Sequence, residues 1–160
     1  AAGARLTASL DAEFAQDLKF QLKLATRLGI KEGKDRLDNI SEAGQRQRLE
    51  MRWVSVGRMT FQCDRYKLLP AGRTNYDIWE TELQRMELQY QYHRYQPRFC
   101  GFRYSLHAEL PNFLVNTLTV QDAPEMRAYN ARLRAIPAVL DTAISESCAS
   151  DIQGIHPPRF

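Results

Sequence analysis

The sequence predicts an all-α fold: an antiparallel bundle of about five to six helices with a long aromatic and basic loop. Apolar residues recur at spacings of three and four in several segments, as on one face of a helix. Alternating runs of Val, Ile and Thr are absent, so we expect little strand. Residues 118–155 have the pattern of a helix, a proline break and a second helix, and the earlier segments supply partners for its apolar side. We expect a single helical domain over residues 1–160.

Length and composition suit this prediction. The chain has 160 residues, of which 44% are hydrophobic and 26% charged, the proportions of a soluble globular domain. The net charge is +3, from 22 basic and 19 acidic residues. No run of five like charges exists, so a basic arm for nucleic acid is not indicated. No apolar run approaches the ~20 residues that span a membrane.

The first helix is predicted over residues 7–28, with Gly29 as its C-terminal stop. Its apolar face repeats at helical spacing and comprises Leu10, Phe14, Leu18, Leu22 and Ala25. Residues 30–39 follow as a polar loop rich in turn-forming residues. Leu37 is the expected anchor of this loop to the core.

Two further helices are expected in the middle of the chain. Ser41 is a good N-cap for a helix that runs to about Cys63, with an apolar face of Leu49, Trp53, Val56 and Met59 or Thr60. The sequence Pro70-Ala-Gly-Arg predicts a turn, and Thr74 then caps the third helix, with Asp77 three residues later. Its apolar face repeats at spacings typical of a bundle and comprises Tyr76, Trp79, Leu83, Met86 and Tyr90.

The last third of the chain predicts a short apolar helix over residues 106–118 and then the two joined helices. Thr119 and Asp122 stand three apart, as in a helix-start signal, and Pro124 suits a first turn. Pro137 lacks an N–H and crowds the preceding turn, so we expect the helix to kink or restart there. Gly154 suits the final stop. The apolar positions are Tyr129, Leu133, Ile136, Leu140, Ile144 and Cys148.

The stretch from Tyr90 to Tyr104 interleaves aromatic and basic residues. Such a pattern can stack bases and hold phosphates. It also suits a loop that crosses a helical surface, because Tyr and Arg bury apolar stems and keep their polar ends wet. Pro97 and Gly101 interrupt the stretch and no RNA-binding module surrounds it, so the second interpretation is favoured.

No catalytic, cofactor-binding or metal-binding residue is predicted in this chain. Three cysteines, Cys63, Cys100 and Cys148, form no CxxC pair and are expected as free thiols. The histidines His93, His107 and His156 lie in three separate segments without a His-x-x-x-His or His-Glu-x-x-His spacing. A pair of Cys100 with His93 or His107 has no evident orienting group. Carboxylates such as Glu82 and Glu87, or Asp35 and Asp38, are expected on solvated faces and turns.

Four stretches together resemble the N-terminal part of the bacterial domain-of-unknown-function family numbered 885. They are residues 24–29, residues 35–41, Tyr76-Asp77-Ile78 with Leu83, and a long final stretch. That last stretch contains Thr119-Val-Gln-Asp122, residues 129–137, Gly154-Ile155 and Pro157-Pro-Arg159. Each is weak alone, but their order and spacing extend over nearly the whole chain.

The resemblance implies more than the residues themselves establish. Members of the family are mainly helical, several hundred residues long, and similar to zinc peptidases of the gluzincin class. Their zinc-binding histidines and general-base glutamate lie in a later part, and no position here matches that motif. Many members are exported or are lipoproteins, which implies a periplasmic or membrane-anchored location. The N-terminal helices are expected to form a wall or lid of the substrate channel.

Two hypotheses follow, from different classes. In the first, this chain is the N-terminal fragment of a longer zinc-peptidase-like protein; its partners are the rest of that chain and a peptide substrate, with no nucleic acid and no membrane span. In the second, it is a freestanding helical binding or scaffold module that uses residues 90–104 for an anionic or protein partner. A homo-oligomer is a further option, because an incomplete domain leaves apolar surface exposed.

Overall fold

The computed structural model describes residues 2–96, 98–99 and 105–156. The all-α prediction is confirmed, since the described residues form six α-helices and two short 3₁₀ helices and contain no strand. The α-helices are α1 (Ala2–Leu18), α2 (Leu22–Arg27), α3 (Glu42–Gln62), α4 (Pro70–Gln91), α5 (Leu106–Asn116) and α6 (Ala123–Ile152). The 3₁₀ helices are Arg65–Lys67 and His93–Tyr95. Within the described helices, none is long and apolar enough to cross a membrane.

The chain divides into two compact units, each with its own apolar core. Unit 1 comprises Ala1–Leu18 and Ala43–Gln91, and unit 2 comprises Lys19–Glu42 and Tyr92–Phe160. The core of unit 1 contains Leu6, Val56, Met59, Leu68 and Tyr76. That of unit 2 contains Leu106, Leu110 and Ala143, with Leu37, Ile40, Phe99, Ile136, Val139 and Leu140 packed against it. Leu37 therefore anchors its loop as expected, together with Ile40.

The single first helix predicted over residues 7–28 is wrong. The chain leaves helical geometry at Gln21, whose φ of −117° and ψ of 62° lie outside the α region. Helix α2 then starts anew, and Asp38 supports the new start by accepting a hydrogen bond from the amide of Lys23 at 3.2 Å. Because α1 buries Leu6 in one core and α2 buries Leu22 in the other unit, packing outweighs the continuous apolar repeat.

The predicted turn at Pro70 is also wrong, because Pro70 begins α4 and Thr74 lies inside that helix. Proline fits the first turn, where its missing N–H has no partner to lose. The face predicted for α3 is partly correct: Leu49, Val56 and Met59 are buried, whereas Trp53 is exposed. Arg52 and Ser55 occupy the buried face instead.

Helix α6 continues through Pro137, so the predicted restart into a second helix is wrong. Its start is built by Asp122, whose Oδ1 accepts a hydrogen bond from the amide of Glu125 at 2.7 Å. Glu125 in turn accepts a hydrogen bond from the amide of Gln121, the residue before the cap, at 3.0 Å. The N-cap is therefore Asp122, and the helix start predicted at Thr119 is wrong. Gly154 ends the helix with a φ of +74°, as predicted.

A buried arginine holds the irregular segment of unit 2 against α6. Arg132 is fully buried, and its guanidinium donates to the carbonyls of Arg36 and Gly33 at 2.8 and 3.3 Å and to the Thr26 hydroxyl at 2.8 Å. The same group lies 5.1 Å from the Phe113 ring centroid. Burial lowers the pKa of Arg132, and the negative charges of Asp38 and Asp35 act in the other direction.

Candidate functional site

Unit 2 contains a cavity of about 210 Å³ between the 3₁₀ helix His93–Tyr95 and the C-terminal part of α6. Its charged and titratable lining residues are Glu42, His93, Arg94, Arg98, Glu146 and His156. Phe99, Ala149 and Ile155 are among its apolar lining residues. A concave site with apolar walls and a few convergent polar groups is the usual form of a small-molecule site. We refer to it as the unit 2 cavity.

Local structure brings these residues together from distant parts of the sequence. The carbonyl of Arg98 accepts a hydrogen bond from the Leu106 amide at 2.9 Å, which ties the segment before α5 to that helix. Phe99 stacks on His107, with ring centroids 6.4 Å apart and ring planes 14° apart. At the other wall, the left-handed turn at Gly154 lets the Ile155 amide donate to the Ser150 carbonyl at 3.0 Å. Ile155 and His156 thereby follow α6 into the lining.

Both arginines of the unit 2 cavity are paired with carboxylates. Arg94 Nη2 lies 3.1 Å from Glu42 Oε2, and His93 Nε2 lies 3.6 Å from the same oxygen. Arg98 Nη2 lies 3.0 Å from Glu146 Oε2 and 3.3 Å from the carbonyl oxygen of Ile40. An arginine whose charge is already compensated attracts a phosphate or carboxylate only weakly. The lining is therefore not arranged as an anion site.

The α6 wall presents hydrogen-bond acceptors. The hydroxyls of Ser147 and Ser150 donate to the carbonyls of Ala143 and Glu146 at 2.8 and 3.1 Å, so each keeps only lone pairs for other partners. Glu146 Oε1 is buried and has no hydrogen-bond partner among the described residues. Because almost none of its surface is accessible, this oxygen does not face the open space of the cavity.

The structure brings together part of the aromatic and basic stretch singled out from the sequence. His93, Arg94, Tyr95, Arg98 and Phe99 all line the unit 2 cavity. Pro97 and residues 100–104 lie outside the described residues, and so does any pair formed by Cys100. The binding interpretation of this stretch thus gains a cavity, while the ion pairs remove the reason to expect an anionic ligand.

The three histidines have different positions in unit 2. His93 and His156 both line the cavity, and His156 Nδ1 lies 2.8 Å from Asp151 Oδ1 on an exposed surface. His107 lies against Phe99, with its Nε2 3.3 Å from the Ser105 hydroxyl. Over the described ranges, no group of three His, Cys, Asp or Glu residues could hold a metal ion. Of the predicted free thiols, Cys63 and Cys148 are indeed free.

The other carboxylates considered from the sequence lie in ordinary pairs. Glu82 lies 3.3 Å from Arg85, and Glu87 accepts a hydrogen bond from the Trp53 indole at 2.6 Å. Asp35 lies 3.8 Å from Arg36. Sequence reasoning missed Glu42 and Glu146, which carry the acidic side of the cavity. Neither has a motif around it, and only the fold shows that they face Arg94 and Arg98.

The described residues define a helical protein of two small units, and unit 2 has a concave site on the C-terminal part of a long helix. The chain belongs to a family described as "Bacterial protein of unknown function (DUF885)", whose model matches residues 23–160. No curated protein and no solved structure matches it.

Proposed function

We propose that this chain forms a helical wall or lid beside the substrate channel of a zinc-dependent peptidase-like protein, and that it carries no catalytic residue of its own. Membership of the family supports the first part, because its members resemble gluzincin peptidases. On this proposal zinc, the general base and the peptide-binding subsites belong to further polypeptide, and the protein acts outside the cytoplasm as an exported protein or lipoprotein.

The single observation that carries the proposal is an exposed apolar cluster in unit 1. Phe61, Tyr66 and Leu69 stand within nine residues between the end of α3 and the start of α4. Their side chains are 93%, 81% and 77% exposed. Isolated apolar side chains are common on protein surfaces, but three large ones at one turn favour contact with further protein. We call this group the α3–α4 apolar cluster.

The described residues do not fit a zinc ion. Among them no three potential ligands converge. His156 lies beside Asp151 alone, and His93 lies beside Glu42, whose carboxylate already binds Arg94. A catalytic zinc needs three protein ligands and an open position. We therefore derive no reaction step on this chain, and assign it the task of shaping and covering a site supplied by other residues.

The proposal is tested first by the reading frame that follows codon 160. A His-Glu-x-x-His-like helix encoded there, followed by a further ligand, is expected. The second arm assays the 160-residue chain with added zinc and a mixture of peptides, and no hydrolysis is expected. Peptide hydrolysis that the isolated chain performs and a chelator abolishes would contradict the proposal.

The α3–α4 apolar cluster supplies the third arm, in the longest protein that the reading frame encodes. Phe61→Ser with Leu69→Ser should reduce peptidase activity or the protein's thermal stability, because an apolar contact is lost. Leu28→Ser, at an exposed leucine of unit 2, is the matched control and should change neither. If the double variant behaves as the control does, or if the cluster mediates only self-association, the wall interpretation fails.

The alternative is a binding module that uses residues 90–104 for an anionic or protein partner. The unit 2 cavity favours a binding role for this stretch, but the pairs of Arg94 with Glu42 and Arg98 with Glu146 do not favour an anion. Binding to single-stranded nucleic acid with a log affinity that falls linearly with log salt would support the alternative over the wall.

A further inference from the structure

We propose that two copies of this chain associate through the outer face of α6, with the two helices antiparallel. The outer face is the exposed side of α6, away from its buried residues Arg132 and Ala143. The proposal does not depend on the wall proposal, because that one rests on the α3–α4 apolar cluster of unit 1, whereas α6 belongs to unit 2. The partner is a second copy of this chain and not further polypeptide.

The first argument is an apolar stripe on the outer face. Its members are exposed and repeat at spacings of seven and four residues: Met126, Leu133, Pro137, Ile144 and Cys148. At 3.6 residues per turn they lie within about 60° of one another around the helix axis. From residue 135 to residue 150 the only charged residues are Asp141 and Glu146, so this part of α6 is apolar on its outer as well as its inner side. Such a helix is typically covered on both sides.

The second argument is a pair of opposite charges beside the stripe. Arg134 and Asp141 are both exposed, and in the part of the chain that the structure describes neither forms an ion pair or a side-chain hydrogen bond. They stand about two turns apart and therefore lie on the same flank of the stripe. In an antiparallel pair of identical helices, equal flanks face each other, so Arg134 of each copy faces Asp141 of the other. A parallel pair brings opposite flanks together and forms neither ion pair.

The third argument is that one register satisfies both features. When the two-fold axis passes just after Ala138, Leu133 of one copy lies opposite Ile144 of the other. In the same register Arg134 is offset from Asp141 of the other copy by two residues, or about 3 Å along the helix, which its long side chain spans. The small side chain of Ala138 at the centre lets the helices approach closely. The face thus complements itself in shape and charge, which is why we name a second copy as its partner.

The size of the contact sets its strength. A face of α6 over residues 126–148 is ~35 Å long and ~12 Å wide, so the pair buries roughly 800 Å² in total. This lies below the ~1,200 Å² at which stable interfaces begin, and we expect a weak dimer with a Kd on the order of 100 µM. The chain is therefore monomeric at low micromolar concentration.

The experiment is sedimentation velocity of the 160-residue chain from about 10 µM to about 1 mM, across which the parent chain should change from monomer to dimer. Arg134→Asp and Asp141→Arg should each weaken dimerisation roughly tenfold or more, because each places like charges opposite one another. Combining both substitutions in one chain should restore the parent's affinity. An equimolar mixture of the two single variants should also dimerise, because one variant supplies both acidic residues and the other both basic ones.

Further variants separate this contact from others, with circular dichroism as the check of folding. Ile144→Ser removes apolar surface from the stripe and should weaken the dimer. Arg5→Glu, the same change of charge at an exposed residue of α1, is the matched control and should leave dimerisation unchanged. Phe61→Ser with Leu69→Ser should also leave it unchanged, since the α3–α4 apolar cluster takes no part.

Three outcomes would overturn the proposal. The parent chain could remain monomeric at about 1 mM, where a dimer of this strength forms; the wall proposal would be unaffected. The double charge variant and the mixture could fail to regain the dimer that the single variants lose. The dimer could depend on Phe61 and Leu69 while the charge variants at Arg134 and Asp141 leave it intact.

Discussion

Among the described residues, each unit buries one arginine, and the two arginines bind different kinds of partner. In unit 1, Arg52 donates to Asp17 Oδ2 at 2.8 Å and lies 3.7 Å from the Trp79 ring centroid. In unit 2, Arg132 makes its hydrogen bonds to two carbonyls and a hydroxyl, and none to a carboxylate among the described residues. Burial lowers the pKa of both groups, yet arginine stays charged at any ordinary pH.

The difference in partners follows from the structural elements that each arginine contacts. Arg52 joins regular helices, whose carbonyls are already bonded within the helix, so a side-chain carboxylate must supply the acceptor. Arg132 faces the segment between α2 and α3, where the carbonyls of Gly33 and Arg36 lie outside any helix and only that of Gly33 accepts a backbone bond, from the Arg36 amide at 3.1 Å. A buried cation can therefore stabilise either a helix contact or an irregular loop, and its partners indicate which.

The largest expected effect is that of Arg132→Met. The apolar stem is kept, but the Thr26 hydroxyl and two carbonyls lose a buried donor, so the free energy of unfolding should fall by roughly 4 kcal/mol. Arg134→Met, at an exposed position of the same helix, should change it by less than about 0.5 kcal/mol. Urea denaturation measures both. Equal effects of the two variants would show that the loop does not depend on Arg132.

Asp17→Asn should have the second-largest effect, because it leaves the buried charge of Arg52 without its carboxylate. Asp17 also binds Arg48 at 3.0 Å, so one substitution weakens two pairs. We expect a loss of about 3 kcal/mol, the scale on which a buried ion pair is broken. Asp11→Asn, an exposed carboxylate on α1, is the control. Hydrogen exchange of Asp17→Asn should show faster exchange of the amides of unit 1 and unchanged exchange of the amides of unit 2.

Each unit has one ion-paired carboxylate whose pKa is lowered, Asp77 in unit 1 and Glu125 in unit 2. The Arg65 guanidinium holds the pKa of Asp77 in unit 1 below its usual range, and Lys34, with the Gln121 amide, does so for Glu125 in unit 2. A lowered folded pKa means that the contribution is complete above the unfolded value of about 4, and is lost as the pH falls through the folded value. Acid should therefore weaken both pairs.

Carboxyl NMR titrations separate the two. Arg65→Gln should raise the pKa of Asp77 and leave that of Glu125 unchanged, and Lys34→Gln should do the reverse. Lys67→Gln, which removes a cation that binds Asp64 at 3.3 Å, is the control and should change neither. A shift of both carboxylates in either variant would mean that the pairs are not independent.

The sequence predicted some helix ends and parts of some helix faces. Pro124 in the first turn and Gly154 at the end of α6 agree with the prediction, because such signals are local chemistry, whereas the N-cap is Asp122 and not Thr119. The break at Gln21 and the continuity through Pro137 depend on packing, which no local pattern records. Arg132 was not foreseen, because a long charged side chain on a helix usually lies in water.

The candidate site was not predicted from the sequence, which favoured a loop across a helical surface for residues 90–104. The density of aromatic and basic residues pointed to His93, Arg94 and Arg98, and these do line the unit 2 cavity. Their acidic partners Glu42 and Glu146 lie roughly 50 residues away in each direction, as separations of 52 and 48 residues show. Composition identified one side of the site, and only the fold supplied the other.

The smallest expected effects are those of two glycine-to-alanine variants, which differ in backbone conformation and not in packing. Gly57 lies in the interior of α3 in unit 1, and Gly154 follows α6 in unit 2 with a φ of +74°. A Cβ at either position would meet nothing within 4 Å, so both alanine variants are free of clashes. Gly57→Ala should therefore stabilise by about 0.5–1 kcal/mol, because alanine loses less entropy in a helix. Gly154→Ala should destabilise by about 1 kcal/mol, because an L residue rarely adopts that φ. Thermal unfolding measures both, and a change of the same sign in the two variants would show that something other than backbone conformation controls these positions.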